Sequence, residues 1–382
     1  MQPYRMVDPY PVPRRRKWPV VLLLVLLVAG GWCGVWVYAA ARAGKTITGW
    51  LNREARFGRV YTCGSRHIGG FPFRFEARCD GADAVLGNMN PPLALKLHDV
   101  KVTAQVFDPT LLTSEFTGPL LIAESGNPPS IAANWSLART SVRGNPRAPE
   151  QVSVLLDHPY FDRITEAGKE RAFTGDRVEA YSRMISGSPF DHPVLGFSIR
   201  TTAAASAPGL HTLATAPIDA DVDMTLYGLK DLAIKPWAVR LREIQEAGGR
   251  IEVKKVRIKQ GAWLMAGAGN LSLTSGGGVD GQLAVTVAGL DQLLQDLGVD
   301  YLARSEKMRT KVDTAVNVLN QLVPGLGDSA RKNVGAGLAA GASLLGEKAE
   351  LEGLPAVKLP LRFHNGAAYL GPLPIGQVPP LF

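Results

Sequence analysis

Between Pro19 and Ala41 the chain runs for 23 residues without a charge, as PVVLLLVLLVAGGWCGVWVYAAA. A helix of that length spans about 34 Å at ~1.5 Å per residue, enough to cross a hydrocarbon core of about 30 Å. Arg14, Arg15, Arg16 and Lys17 stand immediately before it. Basic residues stay on the cytoplasmic side, which sends everything after the run across the membrane. Trp18 at one end and Trp36 and Tyr38 near the other suit the two headgroup zones. A signal-peptide core needs only about 7–15 apolar residues, so the run is read as a retained anchor. Cleavage after Ala43 is the alternative, because Ala41-Arg42-Ala43 has the small-x-small form. Cys33 follows Trp32 where a lipoprotein cysteine follows a small residue, and Gly30 and Gly34 make a single GxxxG pair.

The anchor also explains the charge. The net charge of +8 is concentrated at the start: residues 1–45 carry seven Lys or Arg against Asp8 alone. The remainder is close to neutral, without the clustered cations that neutralise phosphates, so no nucleic-acid partner is expected. Hydrophobic residues make up 46% of the chain and charged ones 20%, which suits an ordered body with a sizeable core.

Cys33 lies inside the apolar run, leaving Cys63 and Cys79 as a pair in the exported body. In an oxidising compartment two such thiols form a disulfide. With only His67 between them they do not complete a tetrahedral metal site, and neither a metal nor a cofactor is expected.

Beyond the anchor, Ile47, Trp50 and Leu51 have helical spacing, a short stem over 42–60. The period then changes to two. Phe71, Phe73, Phe75 and Ala77 alternate with Pro72, Arg74, Glu76 and Arg78, as do Leu93, Leu95 and Leu97 with their neighbours. Pro72 cannot donate to a ladder, so that strand starts there or lies at an edge. PLLIAES, IAANWSLART and QVSVLLD read as further strands, while YFDRITEAGKERAF carries a mixed pattern. Ile218, Ala220, Val222, Met224 and Leu226 alternate with Asp219, Asp221, Asp223 and Thr225, one face apolar and one acidic. PWAVRLREIQEAGG has a helical stripe ending in glycine, and residues 250–289 form a Gly-punctuated meander with Lys254, Lys255, Arg257 and Lys259 on a solvated edge. Residues 290–350 carry the only long helical stripes, at Leu293, Leu294, Leu297 and again at Val312, Val316, Leu319, Leu322. Asn365-Gly366 between apolar runs signals a closing hairpin.

The spacing predicts a mainly β protein: a basic cytoplasmic tail (1–18), a transmembrane anchor (19–41), a stem helix (42–60), a β-rich body (61–289), a helical insertion (290–350) and a C-terminal hairpin (351–382). The body is expected to be an elongated, curved antiparallel sheet. No nucleophile elbow, Walker A loop, HExxH or CxxC is present. GAGLAA at 335–340 matches a dinucleotide fingerprint only in letters, since no strand precedes it. Asp219, Asp221 and Asp223 fail as a calcium loop, with Met224 and Lys230 where glycine and a carboxylate belong. The six histidines, His67, His98, His158, His192, His211 and His364, have no ligand spacing. No catalytic residue is assigned. The stripe Phe71, Phe73, Phe75 is the one candidate site, and it fits either the inner face of a packed sheet or an apolar groove for acyl chains.

The anchor, the Trp50 stem and GGFPFRFEARC together resemble a bacterial family of unknown function, DUF2125, with Gly70, Phe71, Pro72, Phe73 and Arg74 as the most specific part. The resemblance covers most of 45–382. GAGNLSLTSGGGVDGQLAVTVAGL and PLRFHNGAAYLGPLPIG also look like strand repeats of AsmA-like envelope proteins. That second resemblance implies a membrane-anchored periplasmic protein that moves phospholipid along an apolar groove. Neither supplies catalytic residues. The leading expectation is a non-enzymatic, inner-membrane-anchored periplasmic protein that binds or conducts lipid through an apolar β groove, with phospholipid as one candidate partner. A scaffold that binds other envelope proteins through strand edges, or a periplasmic hydrolase, are the alternatives.

Overall fold

The structure, a computed structural model, describes residues 18–145, 148–206, 216–233, 235–296, 346–364, 366–371 and 373–382. The tail expected over 1–18, apart from Trp18, lies outside them. So do 297–345 of the expected helical insertion, with GAGLAA and the Val312–Leu322 stripe, and Asn365 of the expected turn.

The described chain is mainly β: one large antiparallel sheet, an N-terminal apolar helix and two short helices. Helix α1 (Trp18–Arg56) runs without a break through both the expected anchor and the expected stem, and it is long and apolar enough to cross a membrane. Strands β1 (Arg59–Gly69), β2 (Arg74–Leu86) and β3 (Leu93–Gln105) follow as an antiparallel meander. Next come four long strands, each broken near its middle: β4 (Leu111–Thr117) with β5 (Leu120–Glu124), β6 (Ile131–Asn134) with β7 (Leu137–Asn145), β8 (Ala148–Asp157) with β9 (Tyr160–Thr165), and β10 (Gly168–Thr174) with β11 (Arg177–Ser188). The upper halves pair in the order β3-β4-β7-β8-β11-β12 and the lower halves in the order β3-β5-β6-β9-β10-β12, where β12 is Asp191–Ser206. The four breaks thus line up across the sheet. Gly118-Pro119 and His158-Pro159 stand at two of them, where proline has no N–H to give the ladder.

The meander continues through β13 (Ile218–Leu226), helix α2 (Trp237–Glu246), β14 (Arg250–Gln260), β15 (Trp263–Leu273) and β16 (Val279–Ala288). Helix α3 (Leu290–Asp296) leads out of β16. The chain returns in β17 (Glu347–Leu351), so the last residues of the expected insertion are strand. It closes with β18 (Leu354–His364), β19 (Ala367–Leu370) and β20 (Leu373–Gln377).

The buried clusters of large apolar side chains lie in the C-terminal part, whereas the N-terminal half buries mainly small residues such as Ala132, Ala133 and Ala138. Leu290, Leu293 and Leu294 of α3 pack on Val253, Val256, Val285, Val287, Leu359 and Leu361, and α2 buries Leu241 and Ile244 beside Leu226 and Leu195. None of the buried clusters includes a residue of β2 to β11.

Candidate functional site

In an antiparallel sheet, directly paired residues share a face and alternate residues take the opposite one. Following the pairs across the upper half gives three apolar rows on one face. The first is Phe75, Ala104, Leu112, Val142, Val152, then Phe197 and Met224 after Ser182. The second holds Ile68, Ala77, Val102, Val154, Ala180, Ile199 and Val222, interrupted by Ser114 and Thr140. The third carries Val100, Phe116, Ala138, Leu156 and Val178. From β2 to β12 the rows cross six inter-strand gaps, about 29 Å at ~4.8 Å each. Their further ends, at Val222, Val253 and Val256, run into the α3 core.

The opposite face carries charge. Arg78, Lys101, Glu115, Arg139, Leu155, Glu179, Arg200, Asp221 and Arg257 are successive cross-strand neighbours. Lys101 and Arg139 close on Glu115 at 2.5 and 2.7 Å, Lys255 closes on Asp221 at 2.5 Å, and Arg257 closes on Glu352 at 2.6 Å. Hydrogen bonds from Lys101 and Arg139 hold the Glu115 carboxyl below its ordinary range, and that from Lys255 does the same for Asp221. On the acidic face expected on β13, Asp221 is therefore paired with Lys255 and Arg200, and Asp219 accepts from the Ala203 N–H. A one-residue slip would bring this ladder onto the apolar side, so it specifies the register. Below the line of breaks the pattern reverses: Leu93, Leu95 and Leu97 share a face with Lys101, and they pair on to Leu120, Ile122, Ala133 and the stacked Phe161 and Phe173.

Only Phe75 of the expected three-phenylalanine strand face belongs to these rows. Phe71 and Phe73 lie in the turn between β1 and β2, because β2 starts at Arg74. Gly70 makes the turn, at φ +99, and a Cβ there would meet the Arg74 carbonyl oxygen at 2.6 Å. The turn lies against α1. Trp36 stacks on Phe75 and meets Phe71 edge-on, its indole N–H donates to the Arg74 carbonyl, and the Trp32 indole donates to the Pro72 carbonyl. Farther along, a Cβ on Gly44 would meet Ile68 Cδ1 at 3.3 Å, Arg66 donates to Thr48, and Tyr61 stacks on Trp50, so α1 lies antiparallel along β1. The Cys63–Cys79 disulfide joins β1 to β2.

Ser136 Oγ lies 3.3 Å from His158 Nδ1, while carboxylates pair with His192 (Asp191) and His364 (Asp280) at 2.7 and 2.8 Å. Among the described residues no serine, histidine and carboxylate come together in one such chain, and no group of three or more His, Cys, Asp or Glu side chains could hold a metal. The sequence pattern missed β1, whose alternation is interrupted by Gly64, Ser65 and Arg66. It also missed the Trp32 and Trp36 contacts; Trp36 was legible only as a headgroup-zone tryptophan and Trp32 only as the residue before Cys33.

A family model described as an uncharacterized protein conserved in bacteria, DUF2125, matches residues 36–379. No curated protein and no solved structure matches the chain, so the likeness to AsmA-like repeats rests on the strand pattern alone.

Proposed function

The chain belongs to the uncharacterised bacterial family DUF2125, and from that premise we propose that it is an inner-membrane-anchored periplasmic protein that holds phospholipid acyl chains on the apolar face of its sheet. The observation that carries the reading is the set of apolar rows from Phe75 to Phe197, interrupted only by Ser114, Thr140 and Ser182. No residue of α2 or α3 joins these side chains in a buried cluster. An apolar strip backed by a polar face that carries a ladder of ion pairs suits a ligand with a long hydrocarbon tail. Its near end is the Phe75–Trp36 stack, on a helix apolar enough to lie among lipids.

Two features support the anchor and its orientation. The basic residues ahead of α1 favour a cytoplasmic N-terminus, and a disulfide in the body suits the oxidising side. Removal of a leader at Ala43 would strip Trp32 and Trp36 from the β1–β2 turn, leaving Phe71 and Phe75 without their aromatic partners. Those contacts support retention of α1 as part of the folded protein.

Native mass spectrometry of the full chain, released from mild detergent, tests the lipid reading. The wild type is expected to keep one or more phospholipids that a Val154→Asp variant loses, while Ser153→Asp, on the polar face, keeps them. Equal retention in all three would set the reading aside.

A further inference from the structure

We propose that the β1–β2 turn and the neighbouring β3–β4 turn form a second membrane contact, inserted beside α1 into the outer leaflet of the bilayer; this rests on the reading of α1 as a retained span. Depth carries the inference. The first charges after the apolar run are Arg42 and Lys45, which mark where the helix leaves the hydrocarbon. Trp36 lies six residues before Arg42 and Trp32 ten, so the points where the turn touches α1 are about 9 and 15 Å deeper along the helix axis. A turn held at Trp36 and Trp32 is held below the headgroups, deeper than the headgroup zone that the aromatic spacing alone suggests for Trp36.

Its surface suits that place. Phe71 is 52% exposed, Phe73 58% and Phe107 77%, and Phe73 stacks on Phe107 with ring centroids 5.8 Å apart. In water, three such rings on adjacent turns form an apolar patch that nothing on the described surface covers. Its backbone is suited as well. Hydrocarbon tolerates exposed backbone only where the polar groups are satisfied within the protein. Here the Gly70 carbonyl accepts from Arg74 N–H, Pro72 from Trp32, Phe73 from Val106 N–H and Arg74 from Trp36. Pro72 has no N–H to satisfy. Arg74, at the edge of the turn with its side chain largely exposed beside Glu76, reaches toward the phosphates. The inserted tips set the first apolar row, starting at Phe75, level with the acyl chains.

The test uses the full chain with Cys33→Ser, which leaves no free thiol outside the Cys63–Cys79 disulfide. Single cysteines at Phe73→Cys, Phe107→Cys and Met89→Cys carry an environment-sensitive fluorophore. Met89 lies beyond the far end of β2, which runs about 40 Å from Arg74 to Leu86 at ~3.3 Å per residue. The protein is reconstituted in phosphatidylethanolamine–phosphatidylglycerol vesicles containing tail-brominated phosphatidylcholine. The labels at 73 and 107 are expected to be quenched at least about twofold more than that at 89. A Phe71→Cys label, which leaves the Phe73–Phe107 stack in place, is expected to behave like the label at 73. Equal quenching at all four positions, in protein that floats with the vesicles, overturns the insertion while leaving the anchor standing. Protein that fails to float overturns the anchor and the insertion together.

Discussion

The indole of Trp36 lies 5.6 Å from the ring of Phe75 with the two planes 10° apart, joining the apolar helix to the first residue of the sheet's apolar face. The same indole meets Phe71 edge-on and donates to the Arg74 carbonyl. One side chain thus fixes helix, turn and strand together. Aromatic pairs of this kind contribute about 0.5–1.5 kcal/mol each beyond their burial. Trp36→Ala is expected to loosen the turn from α1, seen as faster hydrogen exchange across residues 68–76 and unchanged exchange in β14 to β16. Unchanged exchange in the turn would mean that α1 and the sheet are joined elsewhere.

Gly69 and Gly70 look alike in sequence but differ in what they must do. Gly70 has φ +99 and no room for a Cβ, whereas a Cβ at Gly69 meets nothing within 4 Å. Gly70→Ala is therefore expected to lower stability by about 1–3 kcal/mol, the usual cost of a side chain in a disallowed backbone region. Gly69→Ala is expected to fall well short of that. Chemical denaturation of both variants, compared at the same detergent concentration, checks the pair; similar midpoints would contradict the turn geometry.

The disulfide ties β1 to β2 close to this turn. Its sequence separation of 16 corresponds to about 3 kcal/mol in the chain-entropy model. Cys63→Ser with Cys79→Ser is expected to lose up to that amount, seen as a lower denaturant midpoint, and to abolish the mobility difference between reduced and unreduced gels. Protein recovered from the envelope with both thiols free would place the body on a reducing side.

How far the sequence could be read depended on which forces set each element. The apolar run, the cysteine pair and the Ile218–Leu226 alternation express one local rule each, and the helix, the disulfide and β13 all lie where those rules put them. Phe71 and Phe73 mislead because period-two spacing is shared by strands and by this turn, and the choice is made by Gly70 at positive φ and by the tryptophans of α1. The line of breaks through β4 to β11 has no local signature beyond scattered prolines, since it exists only as an alignment of distant segments. The charge ladder was invisible for the same reason: Lys101, Glu115 and Arg139 become neighbours only through register.

A joint built from two carboxylates and two cations lies at α2. Asp231 pairs with Lys235 at 2.8 Å and with Arg240 at 3.1 Å, and both cations also reach Glu243. The hydrogen bond from Lys235 chiefly, with those from the Ala233 N–H and Arg240, lowers the Asp231 carboxyl from 3.8 to about 2. A depressed carboxylate stabilises the folded state above its unfolded value, and that contribution fades as pH falls through the folded one. Hydrogen exchange in residues 235–249 is therefore expected to quicken, after correction for intrinsic rates, between about pH 4 and 2. Asp231→Asn is expected to be fast already at pH 5, with little further change. A wild type that stays flat over this window would contradict the joint.

The claim that the sheet's apolar face holds acyl chains is tested most directly by photolabelling. The full chain is placed in vesicles with a phospholipid carrying a photoreactive group near its tail end, irradiated and mapped by peptide mass spectrometry. The account predicts adducts on β8 and β12, at Val152, Val154 and Phe197, in addition to those on α1 and the β1–β2 turn. Adducts confined to α1 and the turn, with β8 and β12 unmodified, would contradict it.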